Sequence, residues 1–209
     1  MILIGQYDSP FVRRVAIALV LYGFAFEHRP WSTFGDADKI APFNPLRRVP
    51  VLVADDGEPL MESAVILDYL DELAGRERAL IAREGPARRQ SLRICALASG
   101  LADKAVILVY ERRLHEQSSP MWVERCRTQI QAVLETLEAD RDSRPHANWW
   151  GERIGHADIA VACALRFLRE AHPECFDAAR WPHLAHHCAR CESLEAFQAV
   201  TQPFLPPTR

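Results

Sequence analysis

The sequence lacks any apolar run that approaches the roughly 20 residues needed for a membrane-spanning helix. It also lacks a basic leader, because its first residues, MILIGQYDSPF, contain no lysine or arginine. Gly5, Gln6 and Asp8 interrupt the opening apolar run before it reaches the length of a signal-peptide core. From these absences we expect a cytoplasmic protein without a membrane segment.

A large excess of charge of either sign is absent as well. The formal net charge is -3 over 209 residues, of which 49% are hydrophobic and 25% are charged. This balance is typical of a folded globular chain, and it provides no basic field that would hold a polyanion through its phosphates. Nucleic acid is therefore not an expected partner.

Cysteine is missing from the first part of the chain. All six cysteines lie in the later part, which reads as long helices that need no disulfides, so we expect reduced thiols. Cys188 and Cys191, next to His186 and His187, resemble one half of a zinc site. No second half follows at a suitable spacing, so the sequence predicts packing residues and no metal.

The elements that are present begin with an α/β pattern in the order βαβαββα over residues 1–78. Residues 1–5 and 24–28 are apolar runs typical of strands. The helix between them is predicted from an N-terminal Ser9-Pro10 signal, a final Gly23 and apolar residues at helical spacing, namely Val12, Val15, Ala16 and Leu19. Arg13 and Arg14 can line a site or lie on a solvated helix face, and this periodicity favours exposure of at least one of them.

The second part of this α/β pattern contains a hairpin. The Asp-Gly pair in Asp55–Gly57 separates two short apolar segments at residues 51–54 and 59–62 and predicts a tight turn. An irregular helix is expected at residues 32–41, before the hairpin. A further helix follows Ser63 and ends at Gly75.

The remaining residues predict helices and no strand. Two long amphipathic helices are expected at 84–115 and 119–140. Shorter helices are expected at 156–171, 181–191 and 193–200, and proline makes residues 202–207 an extended tail. We therefore expect an all-helical domain at residues 84–209.

The first motif that bears on chemistry is the segment from Tyr7 to Arg14. Ser9 stands at the start of the first helix, where unpaired N–H groups and the helix dipole stabilise an anion such as a thiolate. Its hydroxyl can donate a hydrogen bond to that sulfur, or it can simply cap the helix. Tyr7, at the end of the first strand, is a second candidate for the same role.

Two further motifs place polar groups beside the same helix start. In the segment from Asn44 to Leu52, a cis bond before Pro50 exposes the N–H and C=O of Val49, and the alternative is an ordinary trans proline. Glu62 can accept from an ammonium, while Ser63 and the next helix start can receive a carboxylate. The alternative for this pair is a helix cap with an acidic neighbour.

Taken at these separations, Ser-Pro-Phe-Val-Arg, Arg-Val-Pro-Val-Leu and Glu-Ser-Ala resemble the glutathione transferase superfamily. The first motif is most similar to its serine-type classes and their bacterial members. The resemblance covers nearly the whole chain, and it implies a thioredoxin-like domain at 1–78 followed by the all-α domain. It also implies a homodimer.

The resemblance implies which residues hold glutathione. It implies a cis Pro50, Arg48 directed at the glycine carboxylate and a thiolate facing Ser9. The implied glutathione-binding residues are Ser9, Phe11, Arg48, Val49, Pro50, Glu62 and Ser63. No metal is implied.

The helical half supplies a fourth match, in the segment from Trp150 to Ile159. It is similar to the capping segment that precedes a buried helix in this superfamily. Asp158 is expected to be structural and to accept bonds from N–H groups at the helix start. Gly155 stands where the superfamily usually has Ser or Thr, so half of the capping box is missing.

The leading hypothesis is an enzyme in which glutathione thiolate, stabilised by Ser9, attacks a hydrophobic electrophilic small molecule. The pocket for this acceptor is predicted between Ser9, Phe11 and the helix containing residues 101–110. One alternative is a non-catalytic glutathione-binding or regulatory protein of the same fold. Another is a glutathione-dependent reductase, dehalogenase or isomerase.

Overall fold

Four short strands and three helices form the N-terminal domain of the computed structural model, which describes residues 1–206. The order is βαβαββα, as predicted: β1 Ile2–Ile4, α1 Pro10–Tyr22, β2 Glu27–Arg29, α2 Ala37–Ile40, β3 Val51–Val53, β4 Pro59–Met61 and α3 Ser63–Ala74. The sheet has the strand order β2-β1-β3-β4. β1 pairs parallel with β2 and antiparallel with β3, and β3 pairs antiparallel with β4. This is a thioredoxin-like arrangement.

Helix α1 begins and ends where its sequence signals predict. Ser9 is extended, Pro10 occupies the first turn, and Gly23 has a φ of 69°, the left-handed conformation that suits glycine. The strand predicted at residues 24–28 is displaced and forms as Glu27–Arg29. The reason is that Phe24 is still part of the helix end, since its N–H donates to the Leu19 carbonyl at 3.0 Å.

The prediction that Arg13 or Arg14 is solvated is wrong, because both are buried. Arg13 donates two hydrogen bonds to the carboxylate of Glu192 and others to backbone carbonyl groups near the chain end. Arg14 donates to the Ser99 hydroxyl at 2.8 Å. Helix α1 is thus enclosed by the sheet on one side and by the helical domain on the other.

The rest of the described chain forms five helices and a 3₁₀ turn at Pro173–Cys175, and within it no ladder strand appears. The helices are α4 Gly85–Leu114, α5 Pro120–Asp142, α6 His156–Ala171, α7 Pro182–Glu192 and α8 Glu195–Gln198. The last helix is shorter than the predicted 193–200. Residues 201–206 have no regular structure, and Pro207 of the predicted tail lies outside the described residues.

Helix α6 joins the two domains because it is buried along most of its length. Its residues Ile159, Ala162 and Cys163 pack in one apolar cluster with α1 and α3, while Ala160, Val161 and other α6 residues pack with α4 and α5. The two domains therefore share a core. No helix among residues 1–206 is both long and apolar enough to cross a bilayer.

Candidate functional site

A cavity of about 840 Å³ opens between the two domains. The N-terminal domain contributes the start of α1 and two loops, through Ser9, Phe11, Trp31, Phe34, Arg48 and Val49. The helical domain contributes one face of α4 and one residue of α6, through Asp103, Val106, Ile107, Tyr110 and Phe167. A cavity of this size accommodates a small molecule, and its walls are mainly apolar.

Ser9 lies on the cavity wall at the N-terminus of α1. Its Oγ accepts a hydrogen bond from the Val12 N–H at 3.4 Å, so the serine does cap the helix. Capping uses an oxygen lone pair and leaves the hydroxyl proton free to donate toward the cavity. Capping and anion stabilisation are therefore compatible roles for this one side chain.

Tyr7, the second candidate hydroxyl, is placed differently. Its ring stacks on His28 with the ring centroids 3.8 Å apart and the planes within 3° of parallel. Burial raises the pKa of the phenol above its ordinary value. Tyr7 is not among the residues that line the cavity, whereas Ser9 is.

The loop before β3 presents backbone groups to the cavity. The Val49–Pro50 peptide is cis, as the sequence resemblance implies, and Val49 lines the cavity. Within residues 1–206, neither the N–H nor the C=O of Val49 makes a hydrogen bond to another protein group. Both groups are therefore available to pair with an extended ligand backbone.

Asn44 and Gly5 determine where this loop lies, and the sequence analysis assigned a role in the site to neither. The buried Asn44 amide donates to the Arg48 carbonyl at 2.9 Å and accepts from the Leu46 N–H at 3.0 Å. At Gly5, with φ at 128°, a Cβ atom would lie only 2.8 Å from the Cβ of Val49. A glycine is needed there because the Val49 loop packs directly on the end of β1.

A second polar subsite surrounds the start of α3. Glu62 has a φ of 67°, an unusual value for a residue with a side chain, and no side chain caps the helix that follows. Ser63 is buried at the first position of that helix. No capping side chain therefore occupies the N–H groups of the first turn, and N–H groups at a helix start can receive an anion.

Arg48 and Glu62 face each other across this subsite. The Nη1 atom of Arg48 lies 3.5 Å from the Oε1 atom of Glu62, and both side chains are more than half exposed. An exposed ion pair of this length contributes little to stability. A ligand with charges of both signs can replace it without a large energetic loss.

The C-terminal segment forms part of the cavity wall, which the sequence did not predict beyond an extended tail. The Gln202 side chain accepts from the Tyr7 N–H at 3.2 Å, and the Asp8 carboxylate accepts from the Leu205 N–H at 3.1 Å. Phe204 and Leu205 line the cavity. The last described residues are therefore fastened to the segment that immediately precedes Ser9.

Two aromatic pairs bound the cavity on different sides. Phe34, from the loop after β2, meets Tyr110 of α4 edge to face at 5.3 Å between ring centroids. Phe167 of α6 meets Phe204 in the same geometry, also at 5.3 Å. Such edge-to-face contacts are favourable, and they leave ring surfaces available to a flat guest.

Asp158 lies outside the cavity and at the start of α6. Its two carboxylate oxygens accept from the N–H groups of Gly155 at 2.9 Å and Trp149 at 3.0 Å, while burial raises its pKa. Gly155 has no side chain that could accept a hydrogen bond from the backbone N–H of Asp158, as the Ser or Thr of a full capping box does. A Cβ atom at this position would lie 2.8 Å from the Leu80 carbonyl oxygen, which explains the glycine.

Cysteine and histidine side chains do not assemble a metal site in the part of the chain that the structure describes. Cys188 and Cys191 are buried in apolar clusters, and burial raises the pKa of both thiols. The surroundings fit the predicted packing role.

Comparison with known proteins identifies families and relatives that this chain resembles in sequence. A model described as "Glutathione S-transferase, N-terminal domain" matches residues 3–78, and one described as "Glutathione S-transferase, C-terminal domain" matches residues 120–190. The GST-like protein YibF of Escherichia coli (strain K12), whose name marks it as uncharacterized, is 34% identical over 205 residues. That match covers 96% of this chain and 98% of the relative.

Solved structures show the same arrangement of both domains. A glutathione S-transferase from Methylobacterium radiotolerans, in complex with glutathione sulfonate, matches with a TM-score of 0.91 at 28% identity, over 100% of this chain and 97% of that one. A glutathione S-transferase from Methylobacillus flagellatus, with glutathione bound, matches with a TM-score of 0.86 at 29% identity, over 97% and 99%.

Proposed function

Because the chain belongs to the glutathione S-transferase family, we propose that it binds glutathione and activates its thiol for attack on a hydrophobic electrophilic small molecule. The observation that carries this proposal is the position of Ser9, at a helix N-terminus and on the wall of an apolar cavity. The protein acts in the cytoplasm as a homodimer, with residues 1–78 and 84–209 as its domains.

In this proposal, the cysteinyl, γ-glutamyl and glycine parts of glutathione each bind to a different group of the protein. The free backbone N–H and C=O of Val49, before cis Pro50, pair with the cysteinyl backbone. Glu62 accepts from the γ-glutamyl ammonium, and Ser63 with the uncapped start of α3 receives the neighbouring carboxylate. Arg48 turns to the glycine carboxylate, and its exposed pairing with Glu62 is weak enough to allow this.

Ser9 supplies the chemical step. A free cysteine thiol has a pKa of about 8.5, so it is mostly protonated at neutral pH. The Ser9 hydroxyl donates to the thiolate, and the positive end of the α1 dipole adds to the stabilisation of the same charge. The thiol proton passes to solvent as the thiolate forms. The sulfur next to Phe11 then forms a C–S bond with the electrophilic carbon of the acceptor held against α4, and the leaving group departs with the electron pair of the bond that breaks.

Comparison of Ser9→Ala with Ser119→Ala tests this role. Ser119 caps α5 through the same bond as Ser9, from the Trp122 N–H at 3.4 Å, and a proline follows it too. Loss of one charge-assisted hydrogen bond is expected to lower the turnover of Ser9→Ala about 10- to 100-fold and to raise the pKa of the bound thiol. Glutathione affinity by calorimetry stays near that of the wild type.

The control separates catalysis from capping. Ser119→Ala loses an equivalent cap and is expected to keep both turnover and the thiol pKa. Unchanged turnover in Ser9→Ala would refute the role of its hydroxyl and direct attention to Tyr7.

A further inference from the structure

The charged residues on the cavity wall are unevenly distributed. In the described chain, the charged wall residues are Asp8, Arg48 and Asp103. Arg48 belongs to the glutathione side, because its guanidinium lies 3.5 Å from Glu62. The side left for the acceptor therefore carries two carboxylates and no basic wall residue among residues 1–206.

Neither carboxylate forms a salt bridge within residues 1–206, although the charges of Arg48, Lys104 and Arg14 act on Asp103 from a greater distance. Asp8 accepts the Leu205 N–H, an uncharged donor, and Asp103 makes no hydrogen bond or ion pair with any residue of the described part. Lys104 follows Asp103, but its ammonium lies over the Trp122 ring at 5.6 Å and does not line the cavity. Burial raises the pKa of both carboxyls, while the charge of Arg48 partly offsets this effect at Asp103, which is an exposed residue of the wall.

The shape of the acceptor side is set by aromatic rings. Tyr110 and Phe34 bound one side, and Phe167 and Phe204 bound another. The glutathione thiolate would add a further negative charge between these walls. A guest here meets ring faces and negative potential, and charges interact more strongly between apolar walls than in open water.

We infer that the acceptor is an aromatic molecule that is uncharged or positively charged, and that Asp103 selects against aromatic acceptors carrying a carboxylate or sulfonate. This inference rests on the proposed function, because it concerns the second substrate of the same site. Asp103 acts by repulsion: a negative group brought beside it meets a carboxylate that no salt bridge neutralises within residues 1–206.

Two acceptors with the same reacting carbon test the charge preference. In 4-chloro-3,5-dinitrobenzamide and 4-chloro-3,5-dinitrobenzoate, the thiolate forms a C–S bond at the carbon that bears chlorine, and chloride leaves with the electron pair of the C–Cl bond. Each kcat/KM is divided by the rate constant of the uncatalysed reaction with glutathione. We expect this corrected value to favour the amide by about tenfold in the wild type.

Two variants test whether Asp103 causes the preference for the amide. Asp103→Asn is expected to reduce the preference for the amide several-fold, whereas Glu116→Gln, which removes an exposed carboxylate from the loop between α4 and α5, leaves it unchanged. Equal use of both acceptors by the wild type would overturn the inference. A preference that survives in Asp103→Asn would overturn the role of Asp103.

Binding of the two glutathione conjugates, measured by calorimetry, separates this inference from the proposed function. If glutathione binds but neither acceptor is turned over, the transferase proposal fails while conjugate affinities still decide the charge preference. Tighter binding of the amide conjugate, reduced in Asp103→Asn, supports the inference. Equal affinities contradict it.

Discussion

The Nε2 atom of His156 lies 3.0 Å from both carboxylate oxygens of Asp71, so the first residue of α6 is bonded to α3 of the other domain. The Tyr22 hydroxyl donates to the same carboxylate, and the Leu80 N–H donates to it at 3.1 Å. The Asp71 carboxylate thus links α1, α3, α6 and the segment that connects the two domains. Such a buried network specifies how the domains pack.

Replacing Asp71 with Asn is expected to lower the free energy of unfolding by about 1–3 kcal/mol. Burial by itself raises the pKa of Asp71, but hydrogen bonds from His156 and Tyr22 outweigh it and hold the pKa below its ordinary value. A lowered folded-state pKa gives stability that is present above the unfolded-state value and is lost as the pH falls through the folded one. Urea titrations of both proteins from neutral pH to below about pH 4 measure the difference.

The control for Asp71 is Asp68→Asn on the same helix. Asp68 is exposed and lies 3.5 Å from Arg88, so its loss is expected to change stability by under about 1 kcal/mol. A difference between the wild type and Asp71→Asn that stays constant down to acid pH would contradict the assignment.

Glu62→Gln is expected to weaken glutathione binding by about tenfold, because the amide keeps an acceptor oxygen but loses the charge that faces the ammonium in the proposed glutathione site. The matched control is Glu72→Gln, an exposed residue of α3 away from the cavity. Calorimetry with glutathione and with its analogue lacking the amino group gives a sharper comparison. The wild type should prefer glutathione, and Glu62→Gln should lose that preference; if it keeps the preference, another residue binds the ammonium.

Gly155→Ser tests whether the capping motif or the packing around residue 155 has the larger effect on stability. A serine here completes the capping box with Asp158, and caps typically stabilise a helix by about 0.5–2 kcal/mol. The structure predicts the opposite sign, a loss of about 1–3 kcal/mol, because the new Cβ atom lies 2.8 Å from the Leu80 carbonyl oxygen. Chemical denaturation measures the sign, with Gly100→Ser, whose Cβ has open space, as the control. Stabilisation by Gly155→Ser would mean that residue 80 moves aside.

Phe204→Ala is expected to reduce turnover of an aromatic acceptor about three- to tenfold, because it removes one ring of the pair with Phe167. Turnover of iodoacetamide, a small aliphatic acceptor, is expected to change little. The ratio of the two kcat/KM values in one preparation is the measurement, so errors in active concentration cancel. An equal loss with both acceptors would show that Phe204 acts on the fold or on glutathione.

The sequence predicted those parts of the site that are local in the chain. The cap at Ser9, the turn before β3 and the start of α3 each depend on a few adjacent residues, and all three form as the motifs indicate. Asn44 belonged to one of these motifs, yet its role in holding the Arg48 carbonyl was missed. The signal was present, since Asn before a proline is typical of a turn.

What the sequence did not predict depends on partners far apart in the chain. Arg13 looked solvated because Glu192, which pairs with it, lies 179 positions away. The acceptor wall shows the same limit: the sequence predicted the helix face within residues 101–110, which includes Asp103, but not Phe204, which reaches the cavity from a distant segment. Packing of this kind is decided by tertiary contacts and leaves no periodic pattern.

The fastening of Gln202 and Leu205 to residues just before Ser9 also bears on the order in which the cavity forms during folding. Tyr7 and Gln202 are 195 positions apart, and Asp8 and Leu205 are 197 positions apart. Contacts between such distant positions cost loop-closure entropy before they return any energy. The wall that contains Phe204 and Leu205 is therefore expected to form after the local elements around Ser9.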